Sequence, residues 1–241
     1  MAKKMVTVNQ AKLNKSLGEE VITGGINLSP FIESVEAGGR DMCPWAGTCA
    51  ESCLKLSGMN QMSTHLQARI DKTLLWLNQP EVFLAKVRKE IEALLRKASR
   101  LGMKAAFRPN LLSDDYNLAA AISEMFPSLT MYDYTKYPKP WERMRDGYHL
   151  TYSLDVGRGR ERTALRCLDK GINVAVVFDL PKDAPMPKLW TLLGEMYPMI
   201  DGDKNDLRFL DPSPVFVGLR GKKITGGSTP AIENGFYRKV A

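Results

Sequence analysis

At 241 residues, 44% of them hydrophobic and 25% charged, the chain has the makeup of a globular protein large enough to fold without disulfides. No run approaches about 18 apolar residues, and the opening MAKKMVTVNQ has no apolar segment, which argues against a membrane-spanning helix and a secretory leader. The net charge of +7 suits a polyanionic partner, a nucleic acid or nucleotide, or else serves solubility alone.

Residues 1–20 read as an N-terminal extension and residues 21–28 (VITGGINL) as the first strand, weakened by Gly24-Gly25. Residues 31–58 have no clean period and read as loop. Residues 62–77 have helical spacing, broken by Pro80, and 81–101 form the clearest helix, with Val82, Leu84, Ala85, Val87, Ile91, Leu94 and Leu95 as its apolar face and Gly102 beyond its end. Strand and helix then alternate. Strands are expected at 103–107, 129–134, 148–154, 172–178 and 215–219. Helices are expected at 116–125, near 141–145, at 160–170 and, more loosely, at 188–196. Residues 199–213 read as an insertion. Six strands in this order predict one α/β domain over 1–241, a partial (βα)6-type barrel with parallel strands and a three-cysteine loop after the first.

Cys43, Cys49 and Cys53 fall within eleven residues of that loop. Disulfides are not expected of a reducing compartment. Soft thiolates suit zinc and iron–sulfur clusters. Three cysteines can hold three irons of a [4Fe–4S] cluster and leave the fourth open, or with His65 make a tetrahedral zinc site. Three metal-free cysteines are the remaining alternative. Cys167, among Ala164, Leu165 and Leu168, reads as a small core residue.

Polar residues follow most of the expected strands, at the ends where parallel α/β sheets bind ligands. They are Arg108, Asn110, Ser113, Asp114 and Asp115, then Asp133, Tyr134, Thr135 and Lys136, then Ser153 and Asp155, then Asp179, and finally Arg220. Asp114, Asp133, Lys136 and Asp155 are the candidate catalytic groups; Arg108, Asn110, Ser113, Tyr134, Ser153 and Asp179 are the candidate cofactor contacts. Ser113-Asp114-Asp115 also suits an N-cap for the helix from Tyr116. Asp133 and Lys136 fit a strand only when paired or functional. Asp201, Asp203 and Asp206 read as a turn more than as a cation site. Gly157-Arg158-Gly159-Arg160 reads as a phosphate cradle or a solvated connection.

The boxes CPWAGTCAESCLKLSG, FRPNLLSDD, MYDYTK, YHLTYSLD and IDGDKNDLRFLDP resemble those of a family of uncharacterised bacteriophage proteins. That resemblance implies a phage origin and the cytoplasm of an infected bacterial host. A more distant resemblance is to radical S-adenosylmethionine enzymes, which carry a three-cysteine [4Fe–4S] loop after the first strand of a partial (βα)6 barrel. It implies Cys43, Cys49 and Cys53 as cluster ligands and S-adenosylmethionine as a cofactor. Here the cysteine gaps are longer than that superfamily's C-x3-C-x2-C, and RPNLLSDD stands where its glycine-rich box is expected. The resulting expectation is a radical-SAM-like iron–sulfur enzyme acting on a nucleic acid or nucleotide. The alternative is a non-catalytic nucleic-acid-binding or replication-accessory protein with structural zinc, using Tyr132, Tyr134, Tyr137 and Trp141 interleaved with Lys136 and Lys139.

Overall fold

The computed structural model describes residues 4–8, 20–156, 159–222 and 229–240. It is a mixed α/β protein with a ten-stranded, mostly parallel sheet. Two compact units divide the chain. Met1–Pro44, Met59–Asp133 and Arg145–His149 form the first; Trp45–Gly58, Tyr134–Met144 and Leu150–Ala241 form the second.

In the first unit, β1 (Val6–Val8) lies antiparallel to β2 (Val21–Ile26), so the expected extension contributes a short strand. β3 (Lys104–Arg108) runs parallel to β2, and β4 (Thr130–Thr135) parallel to β3. Gly24 and Gly25 sit inside β2 because a side chain there has no room. A Cβ on Gly24 would lie 2.9 Å from Leu94 Cδ2, and one on Gly25 would lie 2.8 Å from Leu111 Cγ. The glycines that weaken the strand in isolation let a helix and a loop close onto it.

Two long helices, α1 (Ser63–Asn78) and α2 (Pro80–Arg100), follow the loop, divided where Pro80 opens α2 at its first turn. The buried face of α2 is Phe83, Val87, Ile91, Leu94 and Ala98, at spacings of four and three. This face starts one residue later than the expected stripe. Val82 is 44% exposed, while Phe83 is fully buried against Trp76 with ring centroids 5.6 Å apart. Each large side chain on this face contributes about 2 kcal/mol of burial. Gly102, at φ +64°, takes the left-handed position that ends α2. Helix α3 (Tyr116–Met125) has the expected bounds and buries Leu118, Ala119 and Ile122.

The second unit contains the end of β5 (Tyr148–Ser153), β6 (Val174–Phe178), β7 (Leu189–Leu192), β8 (Glu195–Asp201), β9 (Phe216–Arg220) and β10 (Tyr237–Arg238). β6 is central: β5, β9 and β10 all pair with it in parallel, and β8 pairs in parallel with β9. Helix α4 (Glu161–Asp169) closes a core of Leu154, Cys167, Leu168, Val174, Val176, Phe178 and Phe216. Cys167 is fully buried there, as the sequence predicts, and burial pushes its thiol up to about 12. A last helix, α5 (Thr229–Glu233), precedes β10.

The helix expected at 188–196 is instead the β7–β8 hairpin. Leu192 pairs with Glu195, leaving Leu193 and Gly194 as a two-residue loop, both at positive φ (+52° and +90°). That is the primed turn whose twist matches flanking strands. Trp190 seals the hairpin against Phe178 and Phe216, with centroids 5.6 and 4.9 Å away. Tertiary packing of an aromatic residue outweighs a weak helical period. The helix expected near 141–145 shrinks to a single 3₁₀ turn at Pro140–Glu142, opened by Pro140. Of the expected insertion, residues 199–201 complete β8 and Arg208–Leu210 form another 3₁₀ turn.

Candidate functional site

In the first unit the site is organised around Asp133, on β4 and 1% exposed. The backbone amide of Asn110 donates to its Oδ1 and the Asn110 side-chain amide to its Oδ2, both at 3.0 Å. The Tyr148 hydroxyl donates to Oδ2 at 3.0 Å, and Arg108 Nε lies 3.9 Å from Oδ1. Burial pushes the Asp133 carboxyl up to about 7, against the lowering pull of Arg108 and of the Asn110 and Tyr148 hydrogen bonds. Desolvation therefore outweighs the pairing, and this carboxyl can hold or release a proton near neutral pH.

Asn110 also builds the turn after β3. Its side-chain oxygen accepts from Ser113 Oγ at 2.7 Å and from the Asp115 amide at 3.0 Å. Asp115 caps α3 by accepting from the Asn117 amide at 3.2 Å, and it takes the Trp76 indole N–H at 2.7 Å. The cap expected of Ser113-Asp114-Asp115 is thus Asp115. Cys43 meets this same turn: its thiol donates to the Leu112 carbonyl at 3.7 Å, and the Asp114 amide donates to the Met42 carbonyl at 2.9 Å.

In the second unit, Cys49 lies in a 3₁₀ turn, Gly47–Ser52, with Cys53 at its end. The turn is held by Asp155, fully buried just past β5: its carboxyl accepts from the Thr48 hydroxyl at 2.5 Å and the Thr48 amide at 3.2 Å. Asn234 adds a bond to the Thr48 carbonyl at 3.4 Å, and Cys49 packs beside Ala231, Phe236 and Tyr237. Lys136, past the end of β4, donates to Ser153 Oγ at 3.0 Å and to its carbonyl at 3.2 Å, and lies 4.7 Å from the Phe236 ring centroid. Of the two charges that the sequence marks as out of place in a strand, Asp133 therefore lies beside Arg108 and is hydrogen-bonded, and Lys136 is hydrogen-bonded to Ser153.

Tyr134 packs on the core of Ala175, Val215 and Val217, and Asp179 is exposed at the end of β6, its amide donating to the Arg238 carbonyl. Asp201 and Asp203 engage Arg220, with Asp201 gripped at 2.8 and 2.9 Å, and Asp201 Oδ1 accepts from the Asp203 amide as a turn residue does. His65 is exposed on the first turn of α1. Residues 157–158 of the expected phosphate loop lie outside the described residues. Tyr132 is fully buried, so it leaves the aromatic series expected to face a nucleic acid.

Sequence reasoning missed Thr48, Tyr148 and Trp76. Only Thr48 carried a signal, as a hydroxyl directly before Cys49; Tyr148 on β5 and Trp76 on α1 become partners only when elements distant in the chain pack together. None of the four cysteines is in a disulfide, and Cys43 and Cys53 are buried and Cys49 partly so. Cys43 belongs to the first unit, Cys49 and Cys53 to the second. Among the described residues, no three His, Cys, Asp or Glu side chains are gathered as a metal site, and no helix is long and apolar enough to cross a membrane.

The family model described as Gene product 88 matches residues 2–238. The chain belongs to the Gene product 88 family. This match bears out the expected phage family. The Gene product 88 match takes in both units, including all three loop cysteines, Asp133 and Asp155. No curated protein and no solved structure matches the chain.

Proposed function

We propose that this protein is a phage-encoded iron–sulfur enzyme, similar to radical S-adenosylmethionine enzymes, that acts on a nucleic acid or nucleotide. Cys43, Cys49 and Cys53 are its cluster ligands, and a partial (βα)6 barrel is part of the same reading. One observation, made within each unit separately, supports it: each part of the cysteine loop is bonded just beyond the carboxyl end of a parallel strand. Cys43 is bonded to the turn after β3, and the turn holding Cys49 is bonded to Asp155, after β5. Such strand ends are where α/β proteins bind ligands.

The donor set fits the group in its chemistry, being three largely buried thiols, outside disulfides, of the soft class that iron–sulfur clusters need. Held by Cys43, Cys49 and Cys53, such a cluster would supply electron transfer to S-adenosylmethionine. The chain supplies orientation and proton control. Asp133 is the group poised to exchange a proton near pH 7. Asp114, Lys136 and Asp155 complete the catalytic set, and Arg108, Asn110, Ser113, Tyr134, Ser153 and Asp179 position cofactor and substrate.

The test is anaerobic purification with iron, sulfide and zinc analysis, repeated on Cys43→Ala, Cys49→Ala and Cys53→Ala. About four irons and four sulfides per chain are expected, lost in each variant. Colourless protein without iron after anaerobic reconstitution would sink the enzyme reading. Zinc in place of iron would favour a structural zinc site in a nucleic-acid-binding protein.

A further inference from the structure

We infer that the second unit carries a docking surface for single-stranded nucleic acid, built from Trp45, Tyr137, Arg143 and Arg160. The inference takes its partner class from the proposed function but does not depend on the cluster.

The surface is a series of cations stacked on aromatic rings. The Arg143 guanidinium lies 3.5 Å from the Tyr137 ring centroid, and that of Arg160 lies 5.7 Å from Trp45. The two rings meet edge to face at 5.7 Å, joining the pairs into one patch. Arg160 is fixed further by donating to the Lys136 carbonyl at 3.0 Å and the Trp45 carbonyl at 3.4 Å. Tyr137 is fixed by donating its hydroxyl to Glu142 at 3.1 Å. All four side chains are partly exposed, and Lys139 beside them is 59% exposed.

Each feature has a use in binding a single strand. A guanidinium stacked on a ring is pre-oriented, and its planar fork of N–H donors matches a phosphate. Aromatic rings beside such cations give unpaired bases something to stack on, a contact every base can make and a duplex withholds. Of residues 136–143, Lys139 and Arg143 reach the surface beside Glu142, which pairs with Lys139 at 3.1 Å, while Lys136 is buried, so the surface charge there still has the sign of the whole chain. The patch also lies at the strand ends already described. Tyr137 and Arg143 follow β4, Arg160 follows β5, and Trp45 precedes Cys49 by four residues. An acidic peptide would satisfy the cations but would leave the rings without a stacking partner.

Fluorescence anisotropy with labelled oligothymidylate and oligouridylate of about 15 nucleotides tests the surface on the full chain. Both should bind more tightly than a duplex of equal length, and polyglutamate should compete poorly. Tyr137→Ala should weaken binding roughly tenfold while Tyr137→Phe retains it. Arg143→Ala should weaken binding and reduce the slope of log affinity against log salt by about one, more than the exposed Lys89→Ala on α2. Ultraviolet cross-linking of the unaltered protein should attach the oligonucleotide at Trp45 or Tyr137, which keeps the test independent of how the variants fold. Equal affinity in folded Tyr137→Ala, cross-links confined elsewhere, or equal competition by polyglutamate would overturn the surface. Iron measured on the same samples separates the two readings. Retained iron without oligonucleotide binding removes the surface alone, and binding without iron removes the cluster alone.

Discussion

Asn110 occupies both carboxyl oxygens of Asp133, its backbone amide on Oδ1 and its side-chain amide on Oδ2, each at 3.0 Å. The strand residue and the turn residue thereby fix one another in a site with almost no solvent. Burial in that site pushes the carboxyl up to about 7 against the lowering pull of the two Asn110 bonds, and the shape of the turn depends on that carboxyl.

Ionising Asp133 should cost stability as pH rises. Its folded value, near 7, lies above the ordinary 3.8, so between those values the folded state holds a proton that the unfolded state has lost. Its contribution is complete below about pH 4 and disappears on passing pH 7, with a slope of at most about 1.4 kcal/mol per pH unit. Urea unfolding from pH 5 to 8 should show this decline, and Asp133→Asn should flatten it. An identical pH slope in the variant would contradict the assignment.

Thr48→Val should loosen the cysteine turn. It removes the hydroxyl that donates to the buried Asp155 carboxyl and leaves an acceptor short of a partner, a loss of about 1–3 kcal/mol. Alkylation of Cys49 by iodoacetamide should accelerate in the folded protein, while Cys167, sealed in the core, stays unreactive. A labelling rate at Cys49 unchanged by the substitution would argue against the clamp.

Arg69 and Glu33 form a two-pronged pair at 2.7 and 2.8 Å, with side chains 4% and 8% exposed, joining α1 to the loop after β2. Glu33→Gln should cost about 3–5 kcal/mol, because a buried guanidinium is left without its counter-charge. The double change Glu33→Leu with Arg69→Met should cost much less than twice that. Additive losses in a double-mutant cycle would show that the two side chains act independently.

Leu193 is a non-glycine residue at φ +52° and 60% exposed, so its side chain adds backbone strain and little burial. Leu193→Asn should stabilise the protein by about 0.5–1 kcal/mol, since Asn tolerates the left-handed conformation. Gly194→Ala should do the opposite at its φ of +90°. Both are read from thermal or urea unfolding, and a destabilised Leu193→Asn would speak against the primed turn.

Much of the local structure was legible in the amino-acid order. Helices α2 and α3, the strands β2, β3, β4, β5, β6 and β9, and the irregular cysteine loop all follow from periodicities and stop signals a few residues apart. The core role of Cys167 was legible for the same reason, because its apolar neighbours on the helix declare it. The β7–β8 hairpin was not, since a leucine in the turn position conceals the usual Asn-Gly signature and Trp190 is anchored by residues far along the chain.

The sequence alone set the candidate list: three thiols in one loop, and acids and bases after the strands. Tertiary structure decided their partners. It joined Thr48 to Asp155 across 107 positions and Asn110 to Asp133 across 23, and it made the first carboxyl a clamp and the second a proton holder. The physical reason is that helix and strand periods act over neighbouring residues. Hydrogen-bond partners and desolvation depend instead on strand register and burial, which arise only when distant segments pack.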